Sequence, residues 1–154
     1  MVLTLHHFPP SAPSRAALLT AKAIGLDIDV QIVNLFEKEQ LSEDFIKFPI
    51  LFLGEDQILD ENKQPLEEAL GFLDVFLDEN SYVAGDKLTV ADCSLAASVS
   101  SIVAIGWDIK AYENVNNWLA RCALTIPGYE ETNQAGANEF GKAVRSKMAP
   151  GQLP

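Results

Sequence analysis

The side chains best placed for chemistry lie in one short stretch, Phe8–Leu19, which reads FPPSAPSRAALL. Ser11 and Ser14 precede an apolar run with helical spacing, Pro13 suits a first helical turn, and Pro9–Pro10 stiffen the approach. A residue just ahead of a helix meets free backbone N–H groups and the positive end of the dipole, where an anion is favoured. A hydroxyl held there could donate to a thiolate and lower the thiol's pKa. It could equally be a plain helix cap, because serine is among the preferred N-caps, and on spacing alone the cap is the simpler reading. Arg15 could reach an anion or brace its helix against a neighbour. A single arginine points to bracing.

The other reactive types carry less. His6 and His7 are adjacent on a strand-like run, so they face opposite ways and cannot act as a pair. One is expected outside and one in local packing. Glu37, Glu39, Glu43 and Asp44 read as a solvated face. Trp107 and Trp118 read as core. Cys93 and Cys122 have no CxxC neighbour and no histidine at metal spacing, so they are expected as buried free thiols in a reducing compartment. No metal site is implied. Phosphate-loop, GxSxG and HExxH patterns are all missing from the sequence.

The charge narrows the partners. A formal net charge of −11, with only three arginines, repels nucleic acid and anionic membrane surfaces. The start MVLTLHHF lacks the features of a signal peptide, and the run from Cys93 to Trp107 is too short and too rich in serine to span a bilayer. The expected location is the cytoplasm. A length of 154 residues suits one ordinary domain or two small ones sharing a core.

These side chains need elements to hold them. Val2–His7 and Asp29–Val33 read as strands, and Ala17, Leu18, Ala21 and Ile24 between them keep helical spacing up to a stop at Gly25. A right-handed crossover makes the two strands parallel. Two strands alone leave one face and both edges open. Beyond Leu41 the pattern is helical. Leu66, Ala69, Leu70, Leu73, Phe76 and Leu77 form one apolar stripe, with Glu67, Glu68, Asp74 and Asp78 on the wet side. Thr89 and Asp92 then have capping-box spacing, and Leu88 and Cys93 can close a hydrophobic staple. The helix they open, over Val90–Ile105, is apolar or small on all sides, as a central buried helix is. Another helix carries Val115, Trp118, Leu119 and Cys122 and stops before Pro127–Gly128. A last one runs from Gln134 to Lys147 with Ala137, Phe140 and Val144 inward, and APGQLP is expected as a tail.

Taken in order, these segments resemble the cytosolic glutathione transferases, most closely the delta class of arthropods and next the epsilon class. FPPSAPSRAALLTAKAIGLDIDVQIVNLFEKEQLSEDFIK is similar to that class's first strand, first helix, second strand and following loop. YVAGDKLTVADCSLAASVSSI is similar to the family's central-helix signature, and YENVNNWLARC, PGYEE and NQAGANEFGKAV to its last helices. The resemblance covers almost the whole chain. It implies that Ser11 corresponds to the serine that hydrogen-bonds the glutathione sulfur. Pro13, Arg15 and Gln40 would lie on the substrate side, Gln40 standing where delta enzymes often place a histidine.

One departure stands beside it. In the family, a segment like SEDFIK is followed by NPQHTVPTL with a cis-proline, two more strands and a Glu-Ser-Arg turn. Here Lys47 runs directly into FPILFLGEDQ, which is similar to the end of a long first helix of the all-helical domain. The absent segment would hold the cysteinyl backbone and γ-glutamyl group of glutathione and much of the electrophile pocket. The expected fold is therefore α+β: a truncated thioredoxin-like βαβ unit over residues 1–48, then an all-α domain over 49–154. The implied activity is conjugation of glutathione, as co-substrate, to hydrophobic electrophiles in detoxification, with a homodimer as a possible assembly. The alternatives are a noncatalytic binder of hydrophobic small molecules and a protein-interaction module.

Overall fold

The computed structural model describes residues 3–37 and 60–147. Strand β1 (Thr4–His7) leads into helix α1 (Ala12–Ala23) and strand β2 (Asp29–Ile32), followed by a 3₁₀ turn at Leu35–Glu37. The helices α2 (Asp60–Phe76), α3 (Val90–Ile105), α4 (Glu113–Thr125) and α5 (Ala135–Arg145) follow. The two strands pair in parallel, with Thr4 opposite Asp29 and His7 opposite Ile32. The ladder continues at both ends, through Asp29 N–H donating to Leu3 C=O at 2.9 Å and Val33 N–H to His7 C=O at 2.8 Å. All four residues of β2 are exposed, so the open face expected of a two-stranded unit is present among the described residues.

Local chemistry sets the ends of α1. Ser11 is its N-cap, Pro13 occupies the second helical position, and Gly25 just past the end adopts φ of +69°, which glycine reaches without strain. The helix buries Arg15, Leu18, Leu19 and Ala21, a stripe that faces α3 and keeps the βαβ unit against the helical region.

The core is built around α3. Its N-terminal turn buries Asp92 and Cys93, the latter alongside Leu88 of the expected staple, and Ala96, Ala97, Val99, Ser100 and Ser101 follow inward. Trp107, Val115, Trp118, Cys122 and Ile126 complete the interior with Leu70, Leu73 and Leu77. Both tryptophans and both free cysteines are buried there. Helix α5 crosses α3 at very short range. A Cβ added at Gly141 would lie 2.2 Å from the Ala104 carbonyl oxygen, so the backbones meet with no side chain between them.

Several expected inward positions differ. Along α2 and the residue just past it the buried line is Leu70, Leu73 and Leu77, whereas Ala69 is exposed and Phe76 is 60% exposed. Residues 69, 72 and 76 form a second apolar line rotated away from the first, so apolar spacing alone merged two faces. Asp74 also differs from its expected wet position. Half-buried, it accepts Val115 N–H at 3.0 Å and so caps the start of α4. In α5 the buried positions are Gly136, Ala137 and Gly141, with Phe140 and Val144 only half-buried, because Gly141 meets the α3 backbone and Gly136 meets the Pro9 carbonyl. The chain enters α5 through a π-helical turn, Glu130–Gln134, that helical periodicity does not reveal. The junction at Lys47–Pro49, Gln40, Glu39, Glu43 and Asp44 lie outside the described residues.

Candidate functional site

The segment between β1 and α1 is held from several directions. Ser11 N–H donates to Phe8 C=O at 2.9 Å, closing a tight turn over the two prolines. The Ser11 backbone is extended, at φ −78° and ψ 116°, and its Oγ accepts the Ser14 N–H at 3.5 Å. That is the cap of the plain reading, at the long limit of a hydrogen bond. The Ser11 hydroxyl proton is donated to no group among the described residues, and the side chain is half-buried. It therefore stands as a donor at the positive end of α1. Pro13, exposed two residues on, brings no N–H to that end.

Ser14 has a different task. Its Oγ accepts Phe8 N–H at 3.2 Å and lies 2.7 Å from His7 Nδ1. Two tautomers fit this geometry: Ser14 donates to a bare Nδ1 when the His7 proton sits on Nε2, and accepts from Nδ1–H when the proton sits there. Burial, with the nearby Arg15 charge, holds the His7 imidazole below its ordinary pKa and keeps it neutral. His7 is thus the packed member of the histidine pair and His6 the exposed one.

Arg15 has no exposed surface at all. Its Nε donates to Asn133 Oδ1 at 2.9 Å, and one terminal nitrogen donates to Pro9 C=O at 3.0 Å and Pro10 C=O at 2.7 Å. The other donates to Ala97 C=O at 2.9 Å and to Ser101 Oγ. All five N–H donors are engaged by the protein. Burial pushes the guanidinium down to about 10, so it remains charged at neutral pH without a carboxylate among its hydrogen-bond partners. The role is a clamp: Arg15 ties the loop that carries Ser11 to α3 and to the π turn before α5.

Asn133 is the residue that sequence reasoning missed. Buried, it accepts from Arg15 and donates through Nδ2 to Ser100 Oγ at 3.0 Å, which fixes the orientation of its amide. Its signal was weak, since only the π turn makes it face inward. Next to it, Gly136 lets the Pro9 carbonyl approach, because an added Cβ would sit 2.0 Å from that oxygen.

A second polar cluster lies at the start of α3. Asp92 is wholly buried; Oδ1 accepts Val83 N–H and Trp118 Nε1–H, each at 2.9 Å. Oδ2 accepts Thr89 N–H at 2.8 Å and the Thr89 hydroxyl at 2.9 Å. Burial opposes the charge, but the four hydrogen bonds outweigh it and hold the carboxyl below its ordinary range. This cluster is structural and contains the capping box expected for Thr89 and Asp92.

Known proteins are similar to this chain in sequence and fold. The family model of the glutathione S-transferase C-terminal domain matches residues 56–121. Glutathione S-transferase D7 of Anopheles gambiae is 27% identical, with 96% of this chain and 99% of the relative covered. That alignment spans 218 positions against 154 residues in this chain, so at least 64 positions of the relative, the difference between the two, have no counterpart here. A delta-class transferase of Nilaparvata lugens superposes with TM-score 0.83 at 27% identity, over 94% of this chain and 99% of that one. Unclassified glutathione S-transferase 2 of Bombyx mori superposes with TM-score 0.86 at 33% identity, over 97% of this chain and the whole of that one. With its βαβ unit, its capped central helix and this full-length similarity, the chain belongs to the glutathione S-transferase family.

Proposed function

We propose that the chain conjugates the glutathione thiolate to hydrophobic electrophiles, with Ser11 as the catalytic hydroxyl. The observation that carries this reading is the state of Ser11: its Oγ is fixed as an acceptor at the α1 N-cap while its proton is left for a ligand. A sulfur accepting that proton would be stabilised as the thiolate, helped by the helix dipole. The thiolate then attacks the electrophilic carbon, forms the C–S bond and expels the leaving group or places charge on the electrophile. Arg15 acts as a positioning residue by holding Pro9 and Pro10, while Pro13 and Gln40 belong to the substrate side. Residues 1–48 form the thioredoxin-like part, 49–154 the helical part, and the setting is detoxification in the cytoplasm, as a homodimer in this reading.

The test is steady-state conjugation of glutathione to 1-chloro-2,4-dinitrobenzene by the wild type and Ser11→Ala. The expected loss in kcat/KM is about 30-fold, of the size of one transition-state hydrogen bond to a charged group. The pH profile of the remaining activity should move upward, towards the free thiol. Absence of conjugation by the wild type, or equal rates in the two proteins, overturns the mechanism.

A second reading rests on the 64 or more positions that the alignment leaves without a counterpart. In it the chain is a noncatalytic binder of apolar molecules. Calorimetry separates the two readings, because the binder takes up apolar ligands but not glutathione.

A further inference from the structure

A pocket of about 390 Å³ opens between the βαβ unit and α5, and Ser11 is not among the residues that line it. Its volume lies in the range of small-molecule sites. The walls are apolar where β2, α1 and α5 meet: Leu18, Val30, Ile32 and Ala135. Two polar side chains that line it, each at least nine-tenths buried, have unmet hydrogen-bonding capacity. His7 is tied to Ser14 through Nδ1 and has no partner for Nε2 among the described residues. Thr132 Oγ1 likewise has none. In the tautomer that carries its proton on Nε2, with Nδ1 accepting from Ser14, His7 presents a donor. The rim excludes anions: Glu131 and Glu139 carry two negative charges, and Lys22 offsets one by pairing with Glu131 at 3.2 Å.

We propose that this pocket binds a small neutral molecule with an apolar body and a carbonyl oxygen that accepts the His7 Nε2–H. The apolar walls take the body. The donor selects the oxygen, and the acidic rim turns away carboxylates. Binding here needs no glutathione, so it stands or falls separately from the conjugation chemistry at Ser11.

The probes are acetophenone, ethylbenzene and benzoate, which share a ring and differ in the polar group. Titration followed by amide chemical shifts of the whole chain should move Leu18, Lys22, Ile32 and Ala135. Acetophenone is expected to bind about fivefold more tightly than ethylbenzene, the value of one neutral hydrogen bond, and benzoate less tightly than acetophenone. His7→Phe should bring the ketone-to-hydrocarbon ratio close to one while ethylbenzene still binds. Ala135→Trp should abolish binding of both and leave the spectrum of α3 and α4 unchanged, because Ala135 is exposed at the first position of α5. The proposal is overturned if none of the probes shifts these amides. It is equally overturned if the ketone preference survives His7→Phe, or if binding survives Ala135→Trp.

Discussion

The two parts of the molecule solve the same problem over different spans of chain. At the start of α3, Asp92 gathers its partners largely from nearby: Thr89 three residues back, Val83 nine back, and only Trp118 from another helix. In the βαβ unit, β2 is exposed throughout, and the loop that carries Ser11 is held by Arg15 to residues 82, 86 and 118 positions away. The helical part closes on itself. The βαβ part is held in place by being docked, and its candidate chemistry depends on that dock.

The largest effect should come from removing the local hub. Asp92→Ala leaves the Val83 and Thr89 N–H groups and the Trp118 indole N–H without their acceptor, and is expected to lower unfolding free energy by about 4 kcal/mol in urea denaturation. A loss below about 1 kcal/mol would erase the distinction between the two parts. Arg15→Met comes next, because the apolar stem is kept while five donors vanish. An expected cost of about 2 kcal/mol should fall unevenly. Amide exchange should accelerate in β1, α1 and β2 and stay slow in α3 and α4. Uniform acceleration would mean that the two parts open together.

The smallest effect is a slope with pH. The folded His7 holds its proton less tightly than the ordinary value of 6.5, so below that pH the unfolded chain binds more protons. Stability present above pH 6.5 should therefore decline as the pH falls through the folded pKa, and His7→Phe should remove this step. Asp92 has the same sign further down: its contribution holds above its ordinary value of 3.8 and is lost as the pH falls through the depressed folded value. A Tm that is flat from pH 7 to 5 in the wild type would contradict the buried neutral imidazole.

This contrast also explains what could be read from the residues alone. The bounds of α3 and its Thr89–Asp92 box were legible because capping is decided within four residues. The parallel βαβ order was legible from short strands around one amphipathic helix. The Arg15 clamp was legible in kind but not in its partners, since Asn133, Ala97 and Ser101 reach it only through the tertiary fold. Misassigned faces in α2 and α5 have a similar origin. Apolar spacing cannot separate the Leu70–Leu73–Leu77 line from the Phe72–Phe76 line beside it, nor foresee that Gly141, not Phe140, meets the α3 backbone.

The two cysteines, both buried, are shielded from thiol reagents. Burial pushes the Cys122 thiol up to about 12, and Cys93 is raised in the same way. In the folded chain at pH 7 Cys122 is therefore held as the neutral thiol. Alkylating agents cannot compete for it until the core opens. The pair therefore serves as an internal clock of unfolding, silent toward reagents while α3 and α4 stay packed and labelled at the rate at which they part.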